Sequence, residues 1–159
     1  MNNFDARLNA LCSVVTAETP EDRELAIAVL KKAMKSNTIR ANDPEDICRD
    51  VFLALGCPDH LIGYEMTVTG ILMCLENREY IDKISRAFYP DLAAQFNTTP
   101  SRVERAMRHL IEVTWTRGDM ETLHHYFGNT ISPDRGKPTN SEFIARMVNI
   151  IKQTMRNAA

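Results

Sequence analysis

"NTTPSRVERAMRHLIEVTWTRG", residues 97–118, decides how this chain is read, because it places four arginines in a sequence whose formal net charge is −2. Thr99 followed by Pro100 marks a helix start. A threonine hydroxyl caps free N–H groups of the first turn, and proline at the first helical position has no N–H to leave unpaired. At about 3.6 residues per turn, a helix over 100–116 puts Val103, Met107, Leu110, Ile111 and Thr114 on one side. Ser101, Glu104, Arg105, Arg108 and Glu112 line the other, with Arg102 and His109 at its margins. One face packs and the other presents arginine.

Immediately upstream, "ISRAFYPDLAAQFNTT" predicts a short helix near 90–96 with Leu92, Ala93 and Phe96 inward, then a tight turn from Asn97 to Thr99. Helix, short turn and arginine-rich second helix form the layout of a helix-turn-helix, whose second helix enters the DNA major groove. The planar fork of an arginine suits guanine O6 and N7, and a carboxylate such as Glu104 can accept from cytosine N4. The exposed amides at the start of the helix also favour a phosphate. The competing reading is a surface helix with an i,i+4 ion pair between Glu104 and Arg108 and solvated arginines. Spacing alone leaves both open.

Working outward, helix start and stop signals recur with little strand alternation, so the chain reads as all-α. "TPEDRELAIAVLKKAMKSN" opens with Thr19 and Pro20, carries acids early and lysines late, and has a stripe of Leu25, Val29, Leu30 and Ala33. "DPEDICRDVFLALGCP" repeats the scheme from Asp43 and Pro44 to Gly56, with Ile47, Val51, Ala54 and Leu55 expected to face the core. A longer helix is expected over 58–76, with Ile62, Met66, Ile71 and Leu75 inward and Gly63 and Gly70 weakening it. Further helices are expected near 79–88, 119–127 and 140–156, the last opened by a capping box of Thr139 and Glu142. The stretch 128–140 is a loop carrying Arg135 and Lys137, and 36–43 looks like a link. The organisation read from this is a helical appendage over 1–42 and a compact multi-helix domain over 43–157.

Composition narrows the function. The chain has 159 residues, 44% apolar and 25% charged, which suits one domain plus an appendage. Residues 41–82 hold two basic against nine acidic side chains, whereas 83–118 hold six against three, so positive charge concentrates around the opening stretch. No apolar run is long enough to cross a membrane, and the N-terminus lacks a secretory pattern, so a cytoplasmic protein is expected. Cys12, Cys48, Cys57 and Cys74 show neither zinc spacing nor a disulfide framework, and read as buried thiols. His109, His124 and His125 lack companions at ligand spacing, so no metal is expected. Trp115 and the eight methionines read as core filling. Glycine-rich phosphate loops and nucleophile motifs are absent, which points away from an enzyme and from any cofactor.

The residues "YPDLAAQFNTTPSRVERAMRHLIEVTWTRG" (89–118), "YFG" (126–128) and "KPTNSEFIA" (137–145), with a weaker echo in "GCPDHLIGY" (56–64), carry a family resemblance. From about 45 to 155 the chain resembles the C-terminal effector domain of the stage-zero sporulation response regulator, a transcription factor of endospore-forming bacteria. The resemblance implies a compact six-helix domain that binds a box with a TGTCGAA-like core, often as tandem copies, to activate or repress promoters. It puts Arg102, Glu104, Arg105 and Arg108 on the base-reading face, with Glu104 and Arg105 foremost. Candidate backbone contacts are Lys83, Arg86, Thr98, Thr99, Ser101, His109, Arg117 and Lys137.

The family's contact surface for the RNA polymerase sigma subunit would fall on 119–131, with Asp119, Glu121, His124 and His125 as candidates. Its exposed residues differ from the family's, which puts that contact in question. Full-length members carry a phospho-accepting receiver before the effector. Residues 1–42 show neither its strands nor its acidic pocket, so switching by aspartyl phosphorylation is not expected from them. The expected partner is double-stranded DNA, with a homodimer in tandem on DNA or through the N-terminal helices. The rival is a protein-interaction module, or an antagonist of a full-length sporulation regulator, acting through 119–131 or the N-terminal segment.

Overall fold

The computed structural model describes residues 19–21, 23–28, 31, 43–128, 130–131 and 136–158. It divides into two units, Met1–Asp43 and Pro44–Ala159. No described residue lies in a strand, so the fold is all-α. In the first unit, residues 20–21, 23–28 and 31 are helical, and the Arg23 N–H donates to the Thr19 carbonyl at 3.1 Å. Leu25 is 68% exposed. Its expected stripe companions Val29, Leu30 and Ala33 lie outside the described residues, as do Cys12, Arg135 and the link at 36–42.

The second unit contains α1 (Pro44–Leu55), α2 (Ile62–Glu76), α3 (Glu79–Asp82), a π-helix (Ile84–Phe88), α4 (Tyr89–Gln95), α5 (Pro100–Arg117), α6 (Met120–Phe127) and α7 (Asn140–Ala158). Helix α2 lies at the centre, packed on α5 and α7, while α4 packs on α5 and α1 on α7. Their apolar faces meet in one core that includes Phe52, Ile71, Phe88, Leu92, Met107, Leu110, Phe127 and Phe143. Trp115 packs edge-on against Phe127 and Phe143, as expected of a core filler. Cys48, Cys57 and Cys74 are free and buried. Burial pushes the Cys48 and Cys74 thiols up to about 12 and the Cys57 thiol to about 11, so they stay protonated and unreactive.

Three local expectations are corrected. First, α2 begins at Ile62 rather than near 58, because Gly56 at φ 72 ends α1 and residues 57–61 form turns. Ile62, expected inward, is the first helical residue and is 77% exposed. Second, Ala54 faces solvent. Phe52, the largest apolar side chain on α1, centres the buried face on Cys48, Phe52 and Leu55 and turns Ala54 away from it.

Third, the helix expected near 79–88 is broken at Lys83 (φ −117, ψ 40) into the single turn of α3 and the π-helix. Pro90 supplies the reason: it has no N–H, and its ring would collide with the carbonyl four residues earlier in a regular α-helix. The wider turn avoids this, with the Phe88 N–H reaching the Lys83 carbonyl at 3.3 Å. This short pair replaces the one helix expected near 79–88.

Gly63 and Gly70 do not interrupt α2; they mark where neighbours come closest. A Cβ on Gly63 would lie 2.7 Å from the Ala106 carbonyl carbon and closer still to its oxygen. One on Gly70 would lie 2.6 Å from the Phe88 ring. The helix tolerates their low propensity because bare backbone lets α5 and Phe88 pack directly against it.

Candidate nucleic-acid interface

Local chemistry fixes where α5 starts. Thr99 has extended backbone (φ −108, ψ 150), and its Oγ1 accepts the Arg102 N–H at 3.3 Å, with Pro100 following at the first helical position. The turn from α4 is short because Asn97 takes φ 49, a left-handed conformation that asparagine tolerates better than most residues. The Thr98 N–H then closes the turn onto the Ala93 carbonyl at 3.0 Å. Helix, short connection (Phe96 to Thr99) and helix are therefore all present, with Phe96 as the C-cap rather than inside the first helix. Val103, Met107, Leu110, Ile111 and Thr114 are all buried, so the inward face of α5 is the expected one.

Ser101, Arg102, Arg105, Arg108 and His109 are exposed on the outward side, with Glu104 and Glu112 half-buried beside them. The four base-reading candidates separate into two kinds. Arg102 and Arg105 make no ion pair with any described residue, so their forks point outward uncommitted. Glu104 and Arg108 are bonded to each other, which raises the Arg108 guanidinium above its usual pKa. One turn on, the Lys137 ammonium donates to Glu112 Oε1 at 2.9 Å and holds that carboxyl below the ordinary carboxylate range. The exposed side thus carries two free arginines in its N-terminal half and an alternating ladder of Glu104, Arg108, Glu112 and Lys137 beyond them.

Two grooves flank this ridge. One, of about 450 Å³, lies between α5, the π-helix and the start of α7, and is lined by Ser85, Tyr89, Glu104, Arg108, Lys137 and Asn140. The other, of about 660 Å³, lies between α5 and the start of α2, and is lined by His60, Ile62, Met66, Arg102, Arg105 and His109. His60, Ile62, Tyr89, Ser85 and Asn140 are neighbours of the site that sequence reasoning did not assign to it. Tyr89 and Asn140 do stand inside the stretches "YPDLAAQF" and "KPTNSEFIA" that carry the resemblance.

The candidate backbone contacts scatter more widely. Thr98 is half-buried, Thr99 is committed as a cap, and Lys83 bonds Glu79 at 2.8 Å. Arg86 is exposed on the π-helix. Arg117, the last residue of α5, stands roughly 22 Å along the helix axis from Arg102 at about 1.5 Å per residue. On α6, Asp119 is the N-cap, its Oδ2 accepting from the Thr122 N–H at 2.8 Å, which keeps its carboxyl below the usual range. Glu121, His124 and His125 are exposed there, His125 lying edge-on against Tyr126. Among the described residues no three His, Cys, Asp or Glu side chains converge in a way that would hold a metal ion.

Residues 48–151 match the family described as "Sporulation initiation factor Spo0A C terminal". The matched segment runs from within α1 into α7, and so takes in the whole helix-turn-helix and both flanking grooves. Domains of this family bind DNA and regulate transcription in sporulation. With the match covering well over half of its length, on an all-α fold that displays free arginines from a capped second helix, this chain belongs to the Spo0A C-terminal family of DNA-binding transcription-factor domains.

Proposed function

We propose that this domain reads a short promoter box through the major groove with α5, and that promoter occupancy is how it regulates transcription. The observation that carries the reading is the uncommitted pair Arg102 and Arg105, flanking Glu104 on the N-terminal half of a capped helix. Recognition helices meet base edges with that half. Arg108 joins them by exchanging its bond to Glu104 for one to DNA. Ser101, Thr99 and the first-turn amides take a phosphate, while Arg86, His109 and Lys137 flank it as further backbone contacts. Lys83, Thr98 and Arg117 are weaker candidates, given their places in the fold. The acidic character of 41–82 keeps the far side of the domain away from DNA. The organisation is a 43–157 domain with a 1–42 appendage, and the site of action is the cytoplasm.

A binding titration tests this, using a duplex with two tandem TGTCGAA-like boxes, a scrambled duplex, two salt concentrations, and Arg105→Ala beside the wild type. A bidentate arginine contact contributes about 1–3 kcal/mol of base discrimination, so a box preference of about tenfold that Arg105→Ala removes is expected. Equal, weak and steeply salt-dependent binding to both duplexes refutes it. A second reading draws on α6, where Met120 is 69% exposed beside Glu121, His124 and His125. There the domain docks on a sigma subunit or a full-length sporulation regulator. Regulation that survives Arg105→Ala but is lost on truncating the N-terminal segment or altering α6 selects that alternative.

A further inference from the structure

We infer that Asn140 is a positioning residue for base readout: its buried amide sets the rotation of α5 by tying the Glu104 carbonyl to Tyr89 of α4. The inference rests on α5 being the base-reading helix. Asn140 opens α7 and is 8% exposed. Of the other buried polar side chains described, Thr67 bonds the Gly63 carbonyl of its own helix at 2.6 Å, and Thr114 bonds the Leu110 carbonyl of its own helix at 2.8 Å with a longer contact to Cys57 Sγ at 3.5 Å, neither reaching a second helix. Asn140 instead bonds across helices. Its Nδ2 donates to Tyr89 Oη at 3.0 Å and to the Glu104 carbonyl at 3.0 Å. A carbonyl can only accept, so the amide nitrogen must face Glu104, and both of its N–H groups are then used.

The geometry makes this bond a rotational stop. The Glu104 carbonyl lies within α5, and an outside donor can meet it only when the helix presents that oxygen toward α7. Apolar packing beneath α5, tightest where Gly63 meets Ala106, limits how far the helix can turn, and the directional bond at Glu104 fixes the rotation that remains. A side chain about 5–6 Å from that axis swings roughly 2 Å when the helix turns by about 20°. Such a shift exceeds what a bidentate hydrogen bond to a base edge allows. Asn140 is itself held by the capping box around it: the Thr139 N–H donates to Glu142 Oε2 at 2.8 Å, and the Glu142 N–H donates to Thr139 Oγ1 at 3.3 Å. One amide, with both of its N–H groups engaged, therefore links both helices of the helix-turn-helix to a fixed point on α7, and a buried directional network of this kind favours one arrangement.

The test compares wild type, Asn140→Leu, Asn140→Asp and Tyr89→Phe in the full chain, titrated on the tandem-box and scrambled duplexes where circular dichroism shows each to be folded. Asn140→Asp keeps the shape and suits the first turn of a helix, yet has no hydrogen to donate. Both Asn140 variants should bind the scrambled duplex within about twofold of wild type and lose at least about fivefold in box preference. Tyr89→Phe should lose less, and adding it to Asn140→Leu should cost little more, since the two share one network. A purely structural amide lowers the melting temperature and leaves box preference intact, and that result overturns the inference. If neither Asn140 variant folds, unchanged preference in Tyr89→Phe overturns it. Wild type without box preference sinks the base-reading proposal and this inference together, whereas a discriminating wild type with equally discriminating variants sinks this inference alone.

Discussion

Replacing Gly63 with alanine should loosen the scaffold under the arginines. Alanine favours α2 by about 1 kcal/mol through helix propensity. Against that, the new Cβ would sit 2.7 Å from the Ala106 carbonyl carbon and 3.3 Å from Leu110 Cβ, where ordinary contact begins at 3.4 Å. The Ala106 carbonyl being backbone, no side-chain rotation relieves the overlap, and α2 and α5 must part by roughly 1 Å in an interior packed like a crystal. Overpacking costs about 1–3 kcal/mol, and parting the two most extensively packed helices forfeits neighbouring contacts as well. A net loss of about 2 kcal/mol lowers the melting temperature of a domain this size by about 8 °C. Gly70→Ala is the internal control, since its Cβ would meet the Phe88 ring at 2.6 Å and the Leu92 side chain at 3.1 Å, groups that can tilt aside. Thermal unfolding by far-ultraviolet circular dichroism should rank Gly63→Ala below Gly70→Ala. Because Ala106 follows Arg105, box preference should fall with it. A Gly63→Ala melting temperature within about 2 °C of wild type, or the reverse ranking, refutes the close approach of α2 to α5.

Glu112→Gln should free Lys137 from its 2.9 Å ion pair and remove a negative charge beside Arg108. Binding to the scrambled duplex should tighten, and log K against log salt should steepen by about one unit, read from titrations at several salt concentrations; an unchanged slope means Lys137 does not approach phosphate. The second concerns Glu65, whose carboxyl is held below its usual pKa by hydrogen bonds from Arg49, the nearer at 2.8 Å. A depressed carboxylate stabilises the fold above its unfolded value of about 4.3, and that contribution is lost as pH falls through the lower folded value. Glu65 is 55% exposed, so solvent screening keeps the effect under about 1 kcal/mol. Urea midpoints of wild type and Glu65→Gln should therefore differ by a constant amount above about pH 5 and converge toward about pH 3. A difference that does not vary with pH contradicts the pairing.

The helix α5 was legible in the sequence because everything that defines it is local. Thr99 and Pro100 mark its start, and a single buried face gives a clean periodicity from Val103 to Thr114. The i,i+4 pair of Glu104 and Arg108, which the surface-helix alternative proposed, is formed for the same reason. The capping box at Thr139 was equally visible. Helix α2 was less so: buried around much of its circumference, it has no stripe to locate its ends, and its start at Ile62 depends on the turn after Gly56. The face of α1 was misjudged at Ala54 because the bulk of Phe52, not the average periodicity, decides which side meets the core.

Sequence alone therefore determined the all-α class, the arginine-bearing helix and its inward face, since caps, turns and amphipathic spacing act over a few residues. Tertiary structure decided which charges are free. Lys137 reaches Glu112 across 25 positions, Asn140 reaches Tyr89 across 51, and the glycines of α2 read as weak points until Ala106 and Phe88 are seen against them. These pairings follow from how helix faces pack once the chain has closed on itself, and no periodicity within one helix encodes which distant side chain will arrive there.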